Sequence, residues 1–363
     1  MTFTLEDIAN ALGLMAEGDL SLAVTGLAEP QDARPDQIAM ATKPEYAARL
    51  PEGQARAALL WQGADWRAMG LAAALLPARP RYAMSGLTGK MDPGPGYPSG
   101  IHPAALVDPG ARLGDGVSVG PFTVIEAGAE IGPGSVIGPQ CYVGADTRVG
   151  AGALLHAGVR IMARAVIGDR FIAQPGVVIG GDGFSFVTPE VSGVEKARAS
   201  LGGEGTAETQ AWARIASLGG VTIGDDVEVG AGSTIDKGTI RDTRVGSGTK
   251  IDNLVQLGHN VVIGRDCLLC SQVGVAGSTV VGDGVVLGGK VGLSDNIRVG
   301  DRAILGGATI ALANVPAGRV MLGYPAMKME THVEAYKALR RLPRLFREVT
   351  ELKKAVSKDR GND

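Results

Sequence analysis

A period of six residues constrains this chain more than any other feature. From Ile101, every sixth residue is aliphatic: Val107, Leu113, Val119, Ile125, Ile131, Ile137, Val143, Val149, Leu155, Ile161 and Ile167, then a small Ala173, then Ile179. The phase is lost, returns at Ile223, Val229 and Ile235, slips by four residues, and runs again from Val245 to Leu305 without a miss. A helix repeats near 3.6 residues and a strand at 2, so neither yields a strict six. Repeats of six are the mark of a parallel β-helix. One aliphatic residue per hexad points inward and stacks on its equivalents above and below. A small residue at the fifth position shares the interior, and Gly or Asp at the second is expected to accommodate the corner. Glycine, with 55 copies, and a 4% aromatic content suit a chain that turns often and packs small residues between layers.

Three segments stand outside the period. Residues 1–98 mix helical patches such as Leu5–Leu12 with short apolar runs such as Ala57–Trp61, and read as a small α/β domain. Pro and Gly crowd residues 91–100, which read as a linker. The solenoid then spans 99–328. Within it, 185–217 is polar, charged and Gly-rich, and reads as a loop ejected from a coil. Residues 329–363 turn helical, with Val333, Tyr336, Leu339, Leu342, Leu345, Phe346, Val349 and Leu352 on one stripe. Pro343 predicts two amphipathic helices hinged there. Their polar face carries Lys337, Arg340, Arg341, Arg344, Arg347, Lys353 and Lys354 against three glutamates. It is a solvated face or a docking surface for an acidic partner.

A net charge of −3 gives no basic field for nucleic acid. No stretch approaches the ~18 uninterrupted apolar residues of a membrane span. The opening MTFTLEDIANALG lacks the basic and apolar regions of a secretory signal. Cys141, Cys267 and Cys270 are sparse and odd in number, which fits a reducing cytoplasm. Cys267 falls on an inward fifth position, where packing explains it better than metal or redox work.

Of four histidines, His102 and His156 are three coils apart, about 14 Å along the stack, too far to share a metal. No three-histidine zinc site is indicated. His259 lies in the run Ile251-Asp-Asn-Leu-Val-Gln-Leu-Gly-His-Asn260, at the third position of its hexad, where side chains project outward. Packing does not force a histidine there, and a neutral imidazole accepts a proton near neutral pH. A surface histidine without a role is the bland alternative. Asp252, one hexad and one residue earlier, lies around a corner and could orient the ring. Gly277, eighteen residues on, should stack one coil above, with its N–H open to an oxyanion.

The run Lys250–Gly264, with Gly180-Gly-Asp-Gly-Phe184, Ile223–Gly230 and Ile235-Asp-Lys-Gly238, resembles the UDP-3-O-acylglucosamine N-acyltransferases of lipid A assembly, and the likeness covers nearly the whole chain. The resemblance implies a left-handed β-helix in a homotrimer, with sites between subunits and no metal or bound cofactor. It implies His259 as general base, Asp252 as its partner and Gly277 as oxyanion donor. The donor would be a 3-hydroxyacyl chain on acyl carrier protein, docked by the basic tail. The acceptor would be the 2-amine of a UDP-sugar already acylated on its 3-hydroxyl. Asn253, Gln256, Asn260 and Asn296 would contact substrate, and Ile310 would close the acyl groove. In the N-terminal domain Tyr46 matches one of two uracil-stacking rings of the family. Met40 replaces the other, and Lys43 replaces an asparagine. Asn296 stands where well-studied members carry a second histidine, and the 185–217 insertion is longer than usual.

The rival enzymes are a sister O-acyltransferase, which begins directly with its solenoid, and an acetyl-CoA-dependent acetyltransferase. A non-catalytic scaffold and a metalloenzyme are the other classes. A sugar-phosphate nucleotidyltransferase is disfavoured for want of a Gly-rich, basic nucleotide loop.

Overall fold

The computed structural model describes residues 2–200, 211–323 and 326–359. It divides into two compact units, residues 1–96 and 97–363. The first is a five-stranded sheet in which four parallel strands (Gly26–Ala28, Gln37–Met40, Ala57–Leu59, Ala73–Leu75) end on the antiparallel Ala16–Gly18. Helices Leu5–Leu12 and Pro80–Met91 bury Leu5, Ile8, Ala83 and Leu87 against one side of it. Thr4 caps the first helix: its hydroxyl accepts the Asp7 N–H while the Asp7 carboxylate accepts the Thr4 N–H.

The second unit is a parallel β-solenoid. Strands of two to four residues stack into three sheets of ten, nine and ten strands. The first face runs from Leu106–Val107 to Ile310–Ala311, the second from Arg112–Leu113 to Arg298–Val299, and the third from Ser118–Val119 to Val320–Met321. From Val119 to Leu305 the aliphatic first position of the hexad is buried, as at Ile137, Leu155, Leu257 and Leu287, and the fifth position fills the space between, as at Val159, Phe171 and Val261. The core is thus one or two side chains wide at every level. Truncating such a residue to Ala leaves a hole that no neighbouring layer can fill, at a cost of about 2–5 kcal/mol.

The corner works differently from the sequence expectation. The left-handed residue is the fourth of the hexad, not the second: Asn260, Ser278 and Asn296 have φ of 62°, 62° and 59°. Second-position glycines answer to a different demand. A Cβ on Gly264 would lie 2.5 Å from the backbone of Gly282 in the next coil. The spacing between coils, not the turn, excludes a side chain there.

Two irregularities interrupt the stack. Ile167 pairs with Ile223 instead of the residue eighteen on, so the chain leaves the coil after Gly181 and rejoins it at Val221. The excursion holds a hairpin (Phe186–Val187 with Ala213–Arg214) and a short helix, Gly193–Ala199. Of the 185–217 segment, residues 201–210 lie outside the described residues. The four-residue slip is a bulge between strands Thr234–Asp236 and Thr243–Val245. Beyond the solenoid, Met329–Asp359 is a single helix through Pro343, not two. Proline deletes one backbone hydrogen bond, and the helix-favouring Leu, Arg, Glu and Lys on both sides carry the helix past it. Among the described residues, no helix is long and apolar enough to cross a membrane.

Candidate active site

His259 leaves the first face just after strand Gln256–Leu257 and is half-buried. Its Nδ1 lies 3.0 Å from Oδ1 of Asn260. The Asn260 amide is fixed by the bulge: Oδ1 accepts the Thr239 N–H at 3.1 Å and Nδ2 donates to the Arg241 carbonyl at 2.9 Å. An amide so oriented presents only an acceptor to the ring. Nδ1 therefore carries the hydrogen, and Nε2 is left with a lone pair, the tautomer a general base needs. Asn260, expected to touch substrate, is 7% exposed with its amide engaged by protein, and that amide orients the imidazole.

Two glycines pack on the imidazole. A Cβ on Gly277 would lie 2.7 Å from Nε2, and a Cβ on Gly183 would lie 2.5 Å from the His259 Cβ. Gly277 is one coil above, as the spacing requires. Its N–H donates to no protein acceptor among the described residues. Gly183 belongs to the start of the excursion, so both interruptions of the repeat converge on this corner. Sequence reasoning noted the motif that holds Gly183 and the four-residue slip but gave neither a place at the site. The signal was present, because the phase breaks twice ahead of His259.

It also missed Asp236. Strand Thr234–Asp236 lies directly beneath Gln256–Leu257, with Ile235 opposite Leu257. Gln256 Nε2 donates to Asp236 Oδ2 at 2.9 Å, and its Oε1 accepts the Thr234 hydroxyl. Gln256, expected to contact substrate, is thus held at both ends by the coil below. Burial pushes the Asp236 carboxyl up, while the Gln256 hydrogen bond and the nearby His259 pull it back.

Asp252 follows the third-face strand Lys250–Ile251, and its Oδ1 accepts the Asn253 N–H at 2.7 Å. Within the chain, the ring nitrogen's partner is Asn260. Asn253 accepts the Ala231 N–H through Oδ1 and is exposed. Asn296 is exposed on the His259 corner, two coils on, with Nδ2 donating to Asp295. Along the first face, the outward residues in register with Gln256 are Gly274, Gly292 and Ile310. Nothing lies over Gly274, and Ile310 Cδ1 would touch a Cβ on Gly292 at 2.9 Å. A side-chain-free floor therefore starts beside the His259 corner and stops at Ile310, three coils or about 14 Å away.

In the N-terminal unit, Tyr46 is exposed and Lys43 pairs with Glu45 at 3.5 Å. Met40 is buried in the core and presents no face to a ring. Cys141 and Cys267 are buried, with the Cys141 thiol pushed up to about 11 by burial. Among the described residues, no three His, Cys, Asp or Glu side chains converge as metal ligands.

Residues 110–145 and 242–277 match the bacterial transferase hexapeptide (six repeats) model. The chain is 64% identical over 358 residues to a UDP-3-O-acylglucosamine N-acyltransferase of Ruegeria pomeroyi, covering 99% of each. It is 58% identical to the enzyme of that name from Paracoccus denitrificans over the full length of both. Against the Pseudomonas aeruginosa enzyme of that name, it is 44% identical over 77% of this chain and 73% of that one. The solenoid fold recurs in the solved Arabidopsis UDP-N-acetylglucosamine acyltransferase, with a TM-score of 0.52 and 22% identity over 61% of this chain and 71% of that one. A hexapeptide solenoid with a pre-oriented imidazole, and relatives of one name along its whole length, make the chain an acyltransferase that belongs to the UDP-3-O-acylglucosamine N-acyltransferase family.

Proposed function

We propose that the chain moves a 3-hydroxyacyl group from acyl carrier protein to the 2-amine of UDP-3-O-(3-hydroxyacyl)glucosamine, a step of lipid A assembly. The observation that carries this reading is the pairing of a free His259 Nε2 with an unengaged Gly277 N–H beside a side-chain-free floor. Nε2 takes a proton from the amine as its nitrogen attacks the thioester carbonyl. The developing oxyanion receives the Gly277 N–H. Collapse forms the amide and breaks the C–S bond, and the imidazolium returns its proton to the departing thiolate. The floor from Gly274 to Ile310 takes an acyl chain. Tyr46 and Lys43 bind the uridine end of the acceptor.

Three copies assemble with sites between them. Asp252 and Asn253, on the third face, are supplied to the His259 corner of a neighbouring copy, where Asp252 pairs with the imidazolium and both line the substrate. Asn296 completes the substrate's polar contacts. The basic residues of the C-terminal helix receive the acidic carrier protein. The enzyme works in the cytoplasm without a metal or bound cofactor.

The test is acyl transfer from 3-hydroxyacyl carrier protein to the 3-O-acylated UDP-sugar. Transfer in the wild type that is lost in His259→Ala supports the reading. Robust transfer in the variant, or none in either protein, rejects it.

A further inference from the structure

We propose that Asp182 is a positioning residue: its carboxylate latches the start of the excursion onto the bulge and so keeps Gly183 packed against the imidazole of His259. Two glycines wall the ring, and they are held in different ways. Gly277 belongs to the coil above, where its carbonyl accepts the Asn296 N–H at 3.1 Å. Gly183 has already left the stack. The Gly181 carbonyl accepts the Lys237 N–H at 2.8 Å, and the chain departs from the coil after it. Two residues on, a Cβ on Gly183 would stand 2.5 Å from the His259 Cβ, 3.1 Å from Cγ and 3.2 Å from Cδ2. Where this wall stands therefore depends on what holds residues 182 and 183.

Two residues do so. The buried Ser217 hydroxyl accepts the Gly183 N–H at 3.1 Å. Asp182 grips two cations, Lys237 Nζ through Oδ1 at 2.8 Å and Arg214 Nη1 through Oδ2 at 2.9 Å. Lys237 lies just past strand Thr234–Asp236, at the start of the bulge, and Arg214 lies on the strand by which the excursion returns. One carboxylate thus ties the outgoing chain, the returning chain and the bulge together. The Lys237 side chain is only 20% exposed, and an ammonium so covered is costly to leave without an anion, which keeps the latch closed. The bulge also fixes Asn260, through the Thr239 N–H and the Arg241 carbonyl. It therefore sets the tautomer of the imidazole through Asn260 and, through Lys237 and Asp182, the wall on which the ring packs. A ring confined to one rotamer keeps Nε2 aimed at one point, and a ring with a loosened wall meets the amine in the productive geometry less often.

This role rests on His259 acting as the base, and the first measurement is independent of that chemistry. The four histidines of the full chain are labelled at Cε1 and observed by NMR, with His259→Asn identifying the relevant resonance. In Asp182→Ala the His259 ring should pass from the rigid range, an order parameter of about 0.85, to below about 0.6. Lys237→Met breaks the same link from the bulge, should loosen the ring likewise, and serves if the alanine variant does not fold. Arg170→Ala is the control: it removes an ion pair of similar exposure, with Asp226, and should leave the ring as it was. An unchanged ring in the latch variants, or an equal change in the control, overturns the proposal even in a protein that transfers acyl groups. A loosened ring in a protein without transfer keeps the latch and rejects the reaction. In the acyl-transfer assay, Asp182→Ala should lower kcat about 10- to 100-fold and leave KM within about twofold. In a His259→Ala background the same substitution should change the residual rate less than about twofold, because residues that act as a unit are not additive. Equal losses in the two backgrounds would mean that Asp182 does not act through His259, and would overturn the proposal.

Discussion

The corner after the first face and the corner after the second are built from the same hexad, yet they are finished in opposite ways. After the second face, the third-position N–H is closed by a side chain from the coil above. Ala151 donates to Asp169, Asp169 to Asp225, Asp225 to Ser247, Arg265 to Asp283 and Asp283 to Asp301. The ladder closes these five N–H groups, and its carboxylate Asp283 is held below its usual value, first by the Arg265 backbone N–H and then by its side chain. After the first face, the residue above His259 is Gly277, with no side chain to close anything and an N–H left open. The carboxylate beneath, Asp236, is pushed up by burial. A repeat stabilises by satisfying its own polar groups, and a site is where the repeat stops doing so.

The largest effect that could break this contrast is removal of the base. His259→Ala should lower kcat about 100- to 10,000-fold. Arg265→Ala, at the same hexad position on the next corner, should stay within about twofold. Equal losses from both would mean that the two corners do not differ in kind.

Glycines sharpen the contrast next. Gly277→Ala puts a Cβ 2.7 Å from Nε2, so the ring must move or the coil must shift. Activity should fall about 100-fold, the scale of an ångström-sized misplacement of a catalytic group. Gly289 is the third-position residue of the third-face corner, and a Cβ there would meet only the Ser271 carbonyl at 3.5 Å. Gly289→Ala should leave activity intact and raise stability by about 0.4–1 kcal/mol through the unfolded chain. Thermal unfolding and kcat of both variants decide it.

A smaller effect concerns the floor beside the first corner. Ile310→Gly extends the run of glycines and should shift donor preference toward longer chains, by about 0.8 kcal/mol or roughly fourfold in kcat/KM for each added methylene that finds room. A chain-length series that peaks at the same length in both proteins would place the end of the groove elsewhere.

The solenoid was legible because its physics is periodic: one inward aliphatic every six residues is forced by the stack, and thirteen of fourteen positions from Ile101 to Ile179 obey it. Gly277 was legible for the same reason, since eighteen residues return to the same corner. The left-handed fourth position was not, because Phe122, Leu254 and Lys290 take it as readily as glycine and leave no composition signal. Gln256 and Asn260 were found as residues, but what holds them in the chain was not. Their in-chain partners, Asp236 and the bulge at 239–241, reach them only after two breaks in register that no fixed spacing predicts. The helix through Pro343 was split in the sequence reading because proline's local cost was weighed without the helical run on either side of it.

The smallest effect is in stability against pH, and its sign separates the two corners. Asp283 is held below its unfolded value of 3.8. Its ionised form contributes stability that is present above that value and is lost as pH falls through the lower native one. Asp236 is raised above 3.8. Its contribution is fully present below 3.8 and is lost as pH rises through the higher native value, so at neutral pH the buried charge is a cost to the fold. Asp283→Asn should therefore lower Tm at pH 7, and Asp236→Asn should raise it, with both differences shrinking as acid protonates the wild-type carboxylates. Tm measured for both variants from pH 7 down to the onset of acid unfolding tests the pair. Shifts of the same sign at neutral pH would mean that both carboxylates are structural, and would remove the distinction between a corner that satisfies its charge and one that buries it.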